Sequence, residues 1–361
     1  MSLLVVTLPI ALAVLKVAAI ASVGWFLSWR RILHDSAVSD VSELVIKAFA
    51  PCLIFANAVG ASKLSGVAGP TGIVLIVAGP ALLGLSYGLS ALLAKLLKVD
   101  RVYRTAVVAA STFQNQLYLP LAVGVAVVPS VAQAVLGQGT SATWAIASYV
   151  IGLSIFGIGY GPFFWGIGLA WITSDGQGMM FTGAASLIKL IPAPIVGLIA
   201  GFTVALTPLR LLFAPSHAPL RFVLDAATDL GSVAVPLANL ILGAMLARAG
   251  LGVREPLKNV AIVIGTRLIA APAFCTAALY LARPWWRHTP DAAIVAFVLF
   301  VESMSPPATN LATMSKRSPD IVKGRENRTA AAIPRILLVT YIAALIAMPI
   351  WLLVFVHLFG D

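Results

Sequence analysis

Ten runs of mostly apolar residues follow one another along the chain, at 3–29, 41–60, 70–97, 103–128, 142–171, 186–207, 220–248, 257–282, 290–314 and 329–358. A run of about 20 such residues is long enough to cross the hydrocarbon core of a bilayer as a helix. Lipid leaves the backbone no hydrogen-bond partner but itself, so the spanning form is helical. The pattern predicts an all-α polytopic membrane protein with ten transmembrane helices. Two runs are interrupted. Asn115-Gln116-Leu117-Tyr118-Leu119-Pro120 breaks the fourth, and Ser303-Met304-Ser305-Pro306-Pro307-Ala308-Thr309-Asn310 breaks the ninth. Proline removes a backbone donor and clashes with the carbonyl four residues back. Both breaks are rich in amides and hydroxyls, which are expensive in hydrocarbon and mark a place where a polar ligand is held.

Composition agrees with this pattern. Of 361 residues, 60% are hydrophobic and 10% charged, far too apolar for a soluble domain of this size. A net charge of +11 would suggest nucleic acid in a soluble protein. Here the basic residues fall mostly in short loops, without interleaved aromatics, so no nucleic-acid partner is expected and the charge reports orientation. Fourteen Lys and Arg follow odd-numbered runs and five follow even-numbered ones. That asymmetry predicts cytoplasmic odd connections and both termini on the other side, in a multi-pass protein of the plasma membrane. The fifth connection, Thr173 to Thr182, carries only Asp175 and does not discriminate. The first run lacks a preceding basic residue and is too long for a signal-peptide core, so it reads as a retained span. Cys52 and Cys275 lie within apolar runs, which argues against a disulfide framework or a zinc site. No cofactor is expected.

Proline also marks an internal repeat. Shifted by 185–187 residues, Pro9, Pro51, Pro70, Pro120 and Pro162 fall on Pro194, Pro236, Pro256, Pro307 and Pro349. Span one then pairs with six, and four with nine. Five is odd, so the halves, 1–172 and 186–361 about a short cytoplasmic connection at 173–185, enter the membrane from opposite sides. Such inverted repeats are common in secondary transporters.

These features resemble the auxin efflux carrier superfamily, which includes the plant PIN-formed and PIN-likes proteins and their microbial relatives. The resemblance rests on Ala50-Pro51-Cys52-Leu53-Ile54-Phe55, the Asn115 to Pro120-Leu121 break, and Ser305-Pro306-Pro307-Ala308 followed by Ser318-Pro319-Asp320-Ile321. It implies a fold like that of the sodium–bile acid symporters. Helices one, two, six and seven would form a scaffold. Helices three to five and eight to ten would form a transport domain in which broken helices four and nine cross. Substrate would bind near that crossing, and the transport domain would move like an elevator. Asn115 matches the family's asparagine in the first break, and Pro120 and Pro306 its crossover prolines. Two features depart from the plant PIN pattern: the central connection is short, and Glu302 stands near the second break.

The polar residues suggest an anion. A half-helix N-terminus presents unpaired N–H groups and partial positive charge, which attract a carboxylate. Gln114, Asn115, Gln116, Ser303, Ser305, Thr309 and Asn310 add donors, and Asn57 and Asn239 could face the site from the scaffold. Ordinary capping and interhelical bonding are the competing roles. Glu302 lies near the middle of span nine, where an unpaired carboxylate tends to be protonated. It could carry a proton, help hold a cation, or pair with Arg267 at similar depth in span eight. Glu43 and Lys47, four residues apart, read as a snorkelling surface pair. Gly84-Leu85-Ser86-Tyr87-Gly88 matches the G-x-S-x-G pattern, but it lies inside a span and reads as helix packing. The reading is a carrier of a small organic anion, a dicarboxylate or an indole-type carboxylate, in a lipid bilayer, with a homodimer allowed. A sodium-coupled bile-acid-type symporter and a receptor on the same fold are the alternatives. An intramembrane enzyme would want clustered Asp, His or Cys at one depth.

Overall fold

The computed structural model describes residues 3–60, 67, 69–137, 139–168, 171–172, 193–248, 256–286, 289–311 and 328–360. Ser318-Pro319-Asp320-Ile321, the connection at 173–185 and the start of the sixth run lie outside them. Among the described residues the protein is helical, with one isolated β-type contact. α1 is Leu3–Trp29. α2 consists of Asp35–Leu44 and Ala50–Gly60, joined by a widened turn at Val45–Phe49 with i→i+5 bonding. α3 is Pro70–Leu96, α4 Arg101–Thr112, α5 Tyr118–Leu136 and α6 Ala142–Pro162. α7 is Ala193–Leu206 and α8 Arg221–Arg248. α9 consists of Leu257–Ile264 and Ala271–Leu281 about a second widened turn, Gly265–Ala270. α10 is Pro290–Ser303 and α11 Arg328–Phe359.

Over the described residues the apolar runs are helical apart from breaks in the fourth and ninth, and seven helical stretches are long and apolar enough to cross a membrane. The fourth run extends further than its sequence pattern predicts. α5 passes through Pro129 and ends at Gly137, whose φ of 96° is open to glycine without strain. Beyond Pro129, Val131, Ala132, Ala134 and Val135 are buried, so packing carries the helix on where its proline would weaken it.

The helices pack in two groups. α1 lies along α8, and α2 lies against α7 and α8. The α1–α8 contact brings backbone onto backbone. A Cβ on Gly24 would sit 1.9 Å from the Leu240 carbonyl oxygen, and one on Gly243 would sit 1.7 Å from that of Ala21. Such approach is how small residues join helices in lipid, where apolar side chains gain little by leaving the acyl chains. The second group, α3 to α6 with α9 to α11, supplies most of the largest buried core, to which Ile54 of α2, Leu198 of α7 and Leu242 of α8 also belong. There Phe355 packs on Phe300 and Phe297, with ring centroids 4.7 and 5.5 Å away. Gly159 of α6 lets the Ile76 carbonyl of α3 come close. Glu43 and Lys47 form an exposed i,i+4 ion pair on α2.

Replacing Gly243 by valine forces α1 and α8 apart. We expect a lower thermal midpoint in detergent, equivalent to roughly 1–3 kcal/mol of overpacking. Gly84→Ala, where an added Cβ meets open space, changes the midpoint little, and the pair of scans tests the contact.

Candidate functional site

α4 and α10 both stop in mid-run, each ahead of a proline. The Pro306 and Pro307 rings would strike the carbonyls of residues 302 and 303 if α10 continued, whereas Pro120 falls in the first turn of α5, where no intrahelical N–H is needed. α4 ends at Thr112, and Phe113 is extended, with φ −95° and ψ 102°. α10 ends at Ser303, with Met304 at φ −91° and ψ 0°.

The two breaks cross and bond to each other. Gln114 lies opposite Pro307 in an antiparallel pairing. Asn115 N–H donates to the Pro306 carbonyl at 2.7 Å, and Ala308 N–H to the Phe113 carbonyl at 2.8 Å. These bonds flank the 114–307 pair, so that pair needs no N–H from either residue, and Pro307 fits without leaving a gap. The rungs on either side carry one bond each. Phe113 keeps its own N–H on the Ala109 carbonyl of α4, and Pro306 has no N–H to give.

Side chains then fix the crossing. Asn115 caps α5: its Oδ1 accepts from Tyr118 N–H at 3.0 Å. Its Nδ2 donates to the Tyr341 hydroxyl at 2.6 Å, and that hydroxyl donates to the Pro307 carbonyl at 3.0 Å. One phenol from α11 thus holds both strands. Tyr160 O–H donates to the Gln114 carbonyl at 2.7 Å, and Tyr149 O–H to that of Pro120 at 2.9 Å. Gln116 Nε2 reaches the Leu153 carbonyl of α6 at 3.0 Å, over Gly157, where a Cβ would crowd its amide.

A cavity of about 70 Å³ opens beside the crossing. Gln114, Asn115, Gln116, Thr309 and Asn310 line it, with Tyr118, Ser154 and Tyr160. Its other wall is apolar and comes from the first helix group: Ile46 and Ile54 of α2, and Pro194 and Ile195 of α7. The cavity therefore lies where the two groups meet, at the partly positive N-terminus of α5.

The remaining candidates lie elsewhere. Ser303 and Ser305 turn their hydroxyls back to the Phe300 and Val301 carbonyls of α10. Asn57 donates to the Leu53 carbonyl and lines a separate cavity of about 380 Å³ near Ser141, Trp144 and Thr228. Asn239 is buried in α8, and its Oδ1 has no partner among the described residues. Neither asparagine lines the crossing cavity. Glu302 is fully buried behind the crossing, and Gln114 Nε2 lies 3.5 Å from its Oε2. Arg267, also fully buried, does not pair with that carboxylate. Its guanidinium bonds to the backbone carbonyls of Glu302 and Ser305 and to the Ser86 hydroxyl, a role that helix packing alone did not suggest for Ser86. Among the described residues no group of His, Cys, Asp and Glu could hold a metal. Tyr149, Tyr160 and Tyr341 were missed from sequence. The available signal was that each buried phenol in a span needs a hydrogen-bond partner.

A helical fold with several helices long and apolar enough to cross a bilayer is the form of an integral, multi-pass membrane protein. The family model described as membrane transport protein matches residues 9–186 and 177–352, and the chain belongs to this family, the auxin efflux carriers. Similar proteins of Arabidopsis thaliana include Protein PIN-LIKES 7, 28% identical over 176 residues, and Protein PIN-LIKES 5, 30% identical over 176 residues. These matches cover 48% of this chain and 42% and 41% of the two relatives. The chain thus spans about two fifths of the length of the relatives it matches.

Tyr341→Phe keeps the ring and removes only the shared hydroxyl. It leaves the Asn115 amide and the Pro307 carbonyl unpaired, so we expect a loss of roughly 1–3 kcal/mol, read as a lower thermal midpoint of the purified protein.

Proposed function

We propose that the protein is a secondary transporter of a small organic anion, with its site at the crossing. The observation that carries this is the polar cavity at the seam between the two helix groups, walled on one side by the α5 N-terminus and carboxamides and on the other by apolar α2 and α7. The donors favour a carboxylate. The apolar wall suits an indole-type ring or a short carbon chain.

The same geometry supports elevator-type alternating access. In this reading α1, α2, α7 and α8 are the scaffold of an inverted repeat of ten spans, and the remaining helices move as the transport domain. The apolar wall of α2 and α7 and the polar wall at the crossing then move past one another, and substrate enters from the side on which they part. The larger cavity near Asn57 lies along the same seam, toward the opposite end of α6, where a displaced site would emerge. Glu302 is the proposed proton carrier, since its Oε1 and the Gln114 Oε1 lack partners among the described residues. A protonated carboxyl supplies a hydrogen in a place where its donor contact is the Gln114 amide N–H on Oε2.

Counterflow of labelled carboxylates in proteoliposomes tests the function. Wild-type protein should accumulate label against unlabelled internal substrate; a receptor or an enzyme would not. Asn115→Asp retains an N-cap acceptor but sets a negative charge at the site, so we expect a correctly folded protein with counterflow reduced about tenfold or more. Glu302→Gln should keep substrate binding and counterflow while abolishing flux driven by a pH gradient. Equal pH-driven flux in the variant and the wild type would remove Glu302 from coupling.

A further inference from the structure

α10 ends inside the membrane. Its last carbonyls, with that of Ser305, carry the negative end of the helix dipole and need partners that lipid does not supply. In carriers with broken helices, the C-terminal ends of half-helices are where coupling cations bind. In this protein a side chain takes that place. Arg267 Nε and Nη2 donate to the Ser305 carbonyl at 3.0 and 2.8 Å, and Nη2 also donates to the Glu302 carbonyl at 3.1 Å. Nη1 donates to Ser86 Oγ of α3 at 3.1 Å. All three nitrogens are engaged, in a residue with no exposed surface.

The fold is built around this placement. Arg267 lies in the widened turn Gly265–Ala270 of α9. The Trp351 indole of α11 donates to the neighbouring Leu268 carbonyl at 2.7 Å, so the turn is bonded from outside its own helix. A planar fork that donates twice to one carbonyl and once to another gathers backbone oxygens much as a metal ion would, with a charge that cannot dissociate. The Glu302 carboxyl faces Gln114 instead.

We propose that Arg267 is a built-in counterpart of a coupling cation: it occupies the half-helix terminus at which a metal ion would otherwise bind, so substrate is carried without co-transport of sodium or potassium. In the flux experiment this inference rests on the carrier reading above. Its stability experiment does not.

Thermal unfolding of the full chain in detergent provides the first test. The wild-type midpoint should be the same in sodium and in choline chloride at matched ionic strength. Arg267→Gln should unfold at lower temperature and be restored saturably by low-millimolar guanidinium, which stabilises the folded form by binding to it; wild type should not respond. Arg267→Lys, which keeps the charge, should fall between the two. Saturable stabilisation of wild type by sodium overturns the proposal. So does an Arg267→Gln protein indifferent to guanidinium. If that variant does not fold, Arg267→Lys and the wild-type sodium titration decide. Counterflow in sodium, potassium or choline is the second test, and rates should agree within about twofold, the scatter expected where no cation binds. Flux in sodium alone overturns the Arg267 assignment and leaves the carrier reading standing. No counterflow in any cation, with guanidinium rescue intact, overturns the carrier reading and leaves Arg267 standing.

Discussion

Breaking a helix within a bilayer sets free N–H and C=O groups that water cannot reach, each costing several kcal/mol if left bare. The structure meets this constraint at one place. The two broken segments exchange backbone bonds, Asn115 to Pro306 and Ala308 to Phe113. What they leave over is taken by side chains from neighbouring helices: phenols of α6 and α11 on the carbonyls of Gln114, Pro120 and Pro307, and the guanidinium of α9 on those of Glu302 and Ser305. The heavy aromatic packing of α10 against α11, and the glycine-lined approach of α6 to α3, hold these partners in position.

Once the backbone is satisfied, side-chain amides remain over. Gln114, Gln116 and Asn115 each face the cavity while also bonding the crossing or its neighbours. The groups that line the cavity are therefore the ones that report the integrity of the clasp. Side chains held in this way are ordered in advance, which would lower the ordering cost of any binding there.

Sequence alone made the helical, multi-pass character legible because lipid imposes a coarse rule: apolar runs become helices, and a proline beside clustered amides or hydroxyls marks a break, whereas a lone Pro129 or Pro236 does not. Asn115, Pro120, Pro306 and Pro307 could be read in this way. The orientation of side chains about each helix could not. Asn57 of α2 and Asn239 of α8 could have faced the crossing, yet neither lines its cavity, since spacing along a helix does not say which neighbour a given face meets. Ser86 looked like a packing residue within a hydrolase-like pattern because its partner, Arg267, is 181 positions away. Ser303 and Ser305 looked like ligand donors, yet serines at or just past a helix end return their hydroxyls to the preceding turn when nothing better is near. The tyrosines were overlooked because an aromatic ring in an apolar run is ordinary, and only its single oxygen carries the information.

The pairing pattern at the crossing gives the double proline a second meaning. Besides bending the chain, Pro306 and Pro307 subtract two hydrogens from a region with very few acceptors to spare. Any other residue at 307 would add an amide pointing away from its partner strand, toward a flank where the Tyr341 oxygen is already committed. An imino acid there is a subtraction, and the quiet of the surrounding hydrocarbon depends on what has been taken away.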